Sequence, residues 1–264
     1  MKRTTYIILS LLFSGLVVVS AFLFYCSKQG LPKDGNFLKI SGVMKKTDIS
    51  GCKFIECDAE RENNQGVSFG GCKLFVRPSE TPSGNLVYPS GWDKYLKLEI
   101  VGDTLKLLFH FPNDKIDPKY KSRYLNMESD SITLSLPSGS FALINRIHLM
   151  GTSVTGFNRD TLSISTSAFL EIKESNVTSL FVAAPMLRLE SGKAEKLYVD
   201  LDQTNDWTVA SGKFQIDTEY LISSKNQRSN LSKGECQHLI WVPQNDDAKL
   251  ELSIREPMQL SIKE

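Results

Sequence analysis

Thirteen residues that return 17 positions later limit what this chain can become. Leu170-Glu-Ile-Lys-Glu-Ser-Asn-Val-Thr-Ser-Leu-Phe-Val recurs as Leu187-Arg-Leu-Glu-Ser-Gly-Lys-Ala-Glu-Lys-Leu-Tyr-Val. Leu170, Ile172, Val177, Leu180 and Val182 map onto Leu187, Leu189, Ala194, Leu197 and Val199. A third copy opens at Trp207 with an offset of 20, and the three extra residues fall in the turn-like Asp202-Gln-Thr-Asn-Asp. A β-coil this short cannot bury its inward face alone. Stacked copies make one apolar column, each strand pairing with its equivalent above and below. Ser-Gly at 191–192 and again at 211–212 marks a corner, where a residue without Cβ lets the chain turn.

The same period of two runs through Tyr95-Leu-Lys-Leu-Glu-Ile, Leu105-Lys-Leu-Leu-Phe-His-Phe, Ile132-Thr-Leu-Ser-Leu and Leu162-Ser-Ile-Ser. It returns in Leu250-Glu-Leu-Ser-Ile and Met258-Gln-Leu-Ser-Ile. Such alternation buries one face of a strand and wets the other. Many short strands between Gly, Ser, Asn and Asp predict an all-β fold; only residues 116–126 carry a weak helical pattern. Residues 93–264 read as a parallel β-solenoid-like repeat domain, with a β-sandwich as the alternative. Residues 27–92 differ. Glu62-Asn-Asn-Gln-Gly, Gly70-Gly and Pro78-Ser-Glu-Thr-Pro-Ser-Gly are loop signals, and this stretch reads as an irregular, cysteine-bearing β and loop region.

Residues 6–25, YIILSLLFSGLVVVSAFLFY, hold no charge. Twenty helical residues at about 1.5 Å each span ~30 Å, a bilayer hydrocarbon core. The segment has no polar stripe, and Tyr6 and Tyr25 bracket it as interfacial rings do. Residues 1–26 are therefore predicted to be a single-pass membrane anchor, making the stretch after it membrane-proximal. The alternatives are a cleaved signal segment and a lipoprotein through Cys26, although bulky residues precede that cysteine. Lys2 and Arg3 before the span face Lys28, Lys33 and Lys39 after it, so charge does not orient it. Leading hydrophobic segments commonly export the chain behind them, which predicts a periplasmic or extracellular domain.

Beyond Cys26 the chain holds Cys52, Cys57, Cys72 and Cys236. Four cysteines in an exported domain permit two disulfides, in three connectivities. Free buried thiols and a metal site are the competing readings. Zinc spacing fits only loosely, because Cys72 stands alone and Cys236 and His238 are too close.

Past residue 26 the chain carries 29 Lys+Arg (31 less Lys2 and Arg3) against 30 Asp+Glu, which lacks the field of a general nucleic-acid binder. His110, His148 and His238 read as packing or surface residues. No nucleophile elbow, zincin or phosphate-loop motif occurs. Asp200, Asp202 and Asp206 lack the glycine and glutamate of a calcium loop and read as a solvated turn. Glu128 and Asp130 have the i, i+2 spacing of a carboxylate pair on one strand face, and Lys173 and Arg188 fall on neighbouring coils. Asn176-Val-Thr and Asn230-Leu-Ser fit the glycosylation sequon. No catalytic residue, metal ligand or cofactor is assigned.

Val101-Gly-Asp-Thr-Leu-Lys-Leu, Ile132-Thr-Leu-Ser-Leu-Pro and the Ser-x-Val/Ala-x-x-Leu-x-Val coils from 170 to 200 resemble the auto-transporter adhesin, head-GIN family of bacterial envelope proteins, over roughly residues 93–225. The resemblance implies a right-handed β-solenoid and an adhesin-like role. The chain departs from that pattern in its cysteine-bearing first region and its charged coils. The function so read is binding, adhesion or scaffolding at the envelope: the partner is an envelope protein or glycan, the membrane is engaged through residues 6–25, and nucleic acid is not a partner. The alternatives are a carbohydrate-active β-helix enzyme, which needs converging carboxylates, and a partner-dependent envelope sensor.

Overall fold

The 17-residue spacing is the step of a parallel ladder. Leu170 pairs with Leu187 and Ile172 with Leu189; Val177, Leu180 and Val182 pair with Ala194, Leu197 and Val199. The third copy joins with Leu187 against Trp207. The computed structural model describes residues 13–25, 37–62, 66–81, 83–117, 120, 124–137, 139, 141–210, 212–231 and 236–254. Within these residues every alternating segment of the sequence forms a strand; Met258-Gln-Leu-Ser-Ile lies outside them.

Strands are numbered in chain order. An eight-stranded sheet contains β2 (Met44–Asp48), β5 (Lys73–Pro78), β6 (Asn85–Pro89), β10 (Ile132–Leu136), β12 (Gly151–Thr155), β14 (Phe169–Lys173), β16 (Met186–Leu189) and β18 (Asp206–Val209). A nine-stranded sheet contains β3 (Phe54–Arg61), β7 (Leu96–Val101), β8 (Thr104–Phe111), β11 (Phe141–Asn145), β13 (Asn158–Thr166), β15 (Ser175–Ala183), β17 (Gly192–Asp200), β19 (Phe214–Ser223) and β21 (Cys236–Pro243). Two small sheets join β1 (Phe37–Ile40), β9 (Tyr124–Ser129) and β4 (Gly66–Gly71), and β20 (Gln227–Leu231) with β22 (Leu250–Ile254). β9 starts at Tyr124, where the weak helical pattern would have continued to residue 126.

From β11 to β19 the chain gives strands alternately to the nine-stranded and the eight-stranded sheet, all in parallel pairs. Earlier strands break that regularity. β7 and β8 form an antiparallel hairpin closed by Gly102-Asp103, the two-residue turn hairpins favour. β6 pairs antiparallel with both β10 and β2. Both large sheets are therefore mixed, and this corrects the right-handed parallel β-solenoid expected over 93–264. The Val101-Gly-Asp-Thr motif belongs to a hairpin, not to a coil. Four strands of residues 37–92, β2, β3, β5 and β6, enter the same sheets: β3 lies between β8 and β11, and β5 between β10 and β12.

One hydrophobic core draws on both large sheets. Leu162, Leu180, Leu197 and Leu239 stack along the inner face of the nine-stranded sheet, each worth about 2 kcal/mol of burial. Glu219 takes the place between Leu197 and Leu239 and is fully buried; it accepts a hydrogen bond from Trp207 Nε1 at 3.1 Å. Gly192 opens β17 at φ +129°, and an added Cβ would lie 2.0 Å from Ser175 O. Ser175 is itself fully buried, its hydroxyl donating to Lys173 O and accepting from Phe157 N. At the opposite corner Asp202 accepts hydrogen bonds from the Ser223 and Ser224 hydroxyls and from Ser224 N.

The chain divides into two units, Met1–Phe37 and Leu38–Glu264. In the first, residues 13–25 are helical. No helix among the described residues is long and apolar enough to cross a membrane. This corrects the single-pass transmembrane helix, and with it the periplasmic or extracellular placement that depended on it. Residues 6–12 and Cys26, the residue of the lipoprotein alternative, lie outside the described residues.

Candidate functional site

Alternation leaves every second side chain of the eight-stranded sheet outside the core, and strand register sets these side chains in a row. Lys46 stands opposite Val87, Val87 opposite Thr133, and Thr133 opposite Phe75. The row goes on through Ser153, Glu171 and Arg188 to Thr208, so that all eight strands contribute one residue. Seven interstrand steps of about 4.8 Å make a row of ~34 Å. Phe75, Arg188 and Thr208 are exposed. Glu171 accepts a hydrogen bond from Ser153 Oγ at 3.2 Å and pairs with Lys173 at 3.0 Å. Arg188 pairs with Glu190 at 3.5 Å and lies 5.6 Å from the centre of the Phe169 ring.

At the β2 end this face opens into a cleft of about 260 Å³. Its floor is Ser135, which is 4% exposed and accepts a hydrogen bond from Arg77 Nε at 3.3 Å. Arg77, Ser135 and Asn85 are register partners on β5, β10 and β6. The loop after β5 forms one wall: Ser79 N donates to Leu136 O at 2.6 Å, and the Ser79 and Thr81 hydroxyls both donate to Ser83 O. Gly84 lets that loop lie close, because a Cβ there would be 2.9 Å from Pro137 Cδ and 3.0 Å from Ser135 O. Lys46 and Arg77 line the cleft with one carboxylate, Glu80, and neither cation forms an ion pair among the described residues. Lys45, beside Lys46, is committed to Asp93.

A second cavity, about 240 Å³, lies at the β13, β15 and β17 starts on the nine-stranded sheet. There Arg159 and Lys193 are offset by Asp160 and Glu195, and Lys193 pairs with Asp217 at 3.1 Å. The outer face of this sheet also carries a column of stacked rings: Phe181 to Tyr198 is 4.3 Å between centroids and Tyr198 to Tyr220 is 4.5 Å.

Cys52, Cys57, Cys72 and Cys236 are all buried and free. Burial drives the Cys57 thiol far above its ordinary value and pushes Cys72 up to about 12. The Cys72 and Cys236 thiols donate to the carbonyls of Asp130 and His238. His110 Nδ1 lies 2.6 Å from Glu60 Oε1; His148 and His238 are exposed. Glu128 pairs with Lys39 at 3.7 Å, and neither it nor Asp130 lines either cavity. Asp200 accepts from Gln203 Nε2 and Asp202 N, so the acidic loop is bonded internally. Among the described residues no group of three or more His, Cys, Asp or Glu could hold a metal ion. Lys46, Arg77, Phe75 and Ser135 carry no motif that singles them out in the sequence. The Pro78-Ser-Glu-Thr-Pro-Ser-Gly loop signal is the one pointer to their neighbourhood.

No family model and no curated protein matches the chain. Among solved structures it is similar to a candidate adhesin of Parabacteroides merdae, with 10% identity, a TM-score of 0.35, and 86% of this chain covered against 99% of that one. A candidate lipid-binding protein of Parabacteroides distasonis gives 13% identity, a TM-score of 0.36, and 86% and 100% coverage. A candidate adhesin of Bacteroides fragilis gives 9% identity, a TM-score of 0.37, and 85% and 98% coverage. No comparison shows the head-GIN family or an auto-transporter.

Proposed function

We propose that the β-domain is a binding module for an extended polysaccharide, held along the outer face of the eight-stranded sheet. The observation that carries this reading is the ~34 Å row, one side chain from every strand, which sets one ring, one valine, three hydroxyls and three charges side by side. A rigid sheet holds these groups without an ordering cost at binding, and a linear chain of sugars can meet several at once. Hydroxyls, carboxylates and amides bond sugar hydroxyls, while Phe75 and Phe169 offer apolar contact to sugar C–H faces. Adhesion to a glycan-coated surface would follow from many weak contacts along the row.

The test is binding of the whole chain to immobilised polysaccharides, with Phe75→Ala and Arg188→Glu against Lys196→Glu on the nine-stranded sheet. The first two are expected to weaken retention by about tenfold together, and the third to leave it within about twofold. Weakening by Lys196→Glu alone would move the site to the other sheet and sink this reading.

A further inference from the structure

We propose that the cleft at the Lys46 and Arg77 end reads the carboxylate of an acidic sugar, so that the preferred ligand is a uronate-bearing polysaccharide. This rests on the polysaccharide reading of the outer face and adds the chemical class of the ligand. Along that face the positive groups divide into two kinds. Lys173 and Arg188 each sit beside a carboxylate of their own strand or the turn after it, at 3.0 and 3.5 Å. Lys46 and Arg77 form no ion pair among the described residues, and both line one concave site; Asp48, two residues along the strand from Lys46, interacts with it through charge but does not line that site. Its two cations and one carboxylate, Glu80, leave a net charge of +1, which balances a carboxylate better than a phosphate of about −2.

The geometry favours a planar anion beside hydroxyls. Arg77 spends Nε on Ser135 Oγ at 3.3 Å, which fixes the plane of the guanidinium and leaves its two terminal nitrogens for a carboxylate fork. Asn85, Ser79 and Thr81 line the same cleft with groups that donate to and accept from sugar hydroxyls. From β5 to β2 is three interstrand steps, ~14 Å, room for a disaccharide segment. The cavity on the nine-stranded sheet has no such excess charge, since Arg159 and Lys193 are matched there by Asp160 and Glu195.

The experiment is calorimetric titration of the whole chain with oligogalacturonate and oligomannuronate, with the methyl ester of each, and with neutral oligogalactan. At least one uronate is expected to bind about tenfold more tightly than its ester, and the preference should shrink as salt is raised. In Lys46→Gln with Arg77→Gln the acid and its ester should bind within about twofold of each other. Arg77→Lys, which keeps the charge but loses the fork, should fall between. Both side chains are exposed, and far-UV circular dichroism and Tm check that the variants fold. Acid and ester binding equally to the unaltered chain overturns the carboxylate inference alone, as does a preference that survives the double substitution. Failure of every oligosaccharide, neutral ones included, overturns the polysaccharide reading with it.

Discussion

At position 192 an added Cβ would meet the Ser175 carbonyl oxygen at 2.0 Å, with a φ of +129° that side-chain-bearing residues rarely adopt. Gly192→Ala is expected to cost roughly 2–4 kcal/mol, since buried Ser175 cannot yield without losing its two hydrogen bonds. A urea midpoint within error of the unaltered chain would refute that. Asp202 gives an acid-dependent contribution. Hydrogen bonds from the Ser223 and Ser224 hydroxyls hold its carboxyl down to about 2, below the ordinary 3.8. A depressed folded value means the contribution is complete above the ordinary value and is lost as pH falls from about 4 toward 2. Asp202→Asn should flatten the dependence of the urea midpoint on pH in that window and leave it parallel above. At Cys57 and Cys72 the raised thiols predict slow maleimide labelling of the folded chain at neutral pH and fast labelling in urea without reductant. Fast labelling of either residue before denaturation would show that its strand opens readily.

Between neighbouring strands, equivalent positions repeat the same kind of side chain, and the ring column of β15, β17 and β19 shows what that gives. Phe181, Tyr198 and Tyr220 stack within 11° of parallel. Tyr198 touches both others, so Tyr198→Ala is expected to cost about 1–2 kcal/mol beyond lost area, whereas Phe181→Ala loses a single stacked neighbour and should cost less. Equal costs in chemical denaturation would deny the ladder an energetic role. These pairings are legible in the sequence, because Leu170 to Leu187 and Leu180 to Leu197 are equal steps that a parallel ladder needs. The hairpin of β7 and β8 is legible only as alternation. Its Gly102-Asp103 turn carries the antiparallel signal, and the coil pattern downstream masks it. The cleft is not legible. Lys46 and Arg77 lie on strands three steps apart, with β6 and β10 between them, and no local pattern brings them together. The membrane reading draws on the apolarity of residues 6–25, of which 13–25 are described and helical.

Over the whole molecule the decisive feature is the sharing of sheets between early and late strands. β3 carries buried Ile55 and Cys57, and β5 carries Leu74 and Val76, each between two later strands. A fragment of residues 93–264 would strip one ladder partner from each of β8, β11 and β12 and both from β10, and expose the core those four side chains cover. It is expected to melt without a cooperative transition by circular dichroism, in contrast to the whole chain. A sharp melt would show that the later strands suffice alone. Residues 27–92, read as irregular from their Gly, Asn and Pro content, hold strands whose partners are far along the chain. Phe54 pairs with Thr104 on one side and Ala142 on the other, separations that leave no short-range trace.

That arrangement also sets a timetable for a chain made from its N-terminus. β5 needs both β10 and β12, so its ladder cannot close until residue 155 has left the ribosome tunnel. Until then Leu74 and Val76 lie on a strand with at least one open edge, the state in which chains pair with the wrong neighbour. The later turns add strand upon strand with short loops and are quick to form once a first layer exists. Nascent chains are therefore most vulnerable halfway through synthesis, when half of the sheets is waiting for the other half to be made.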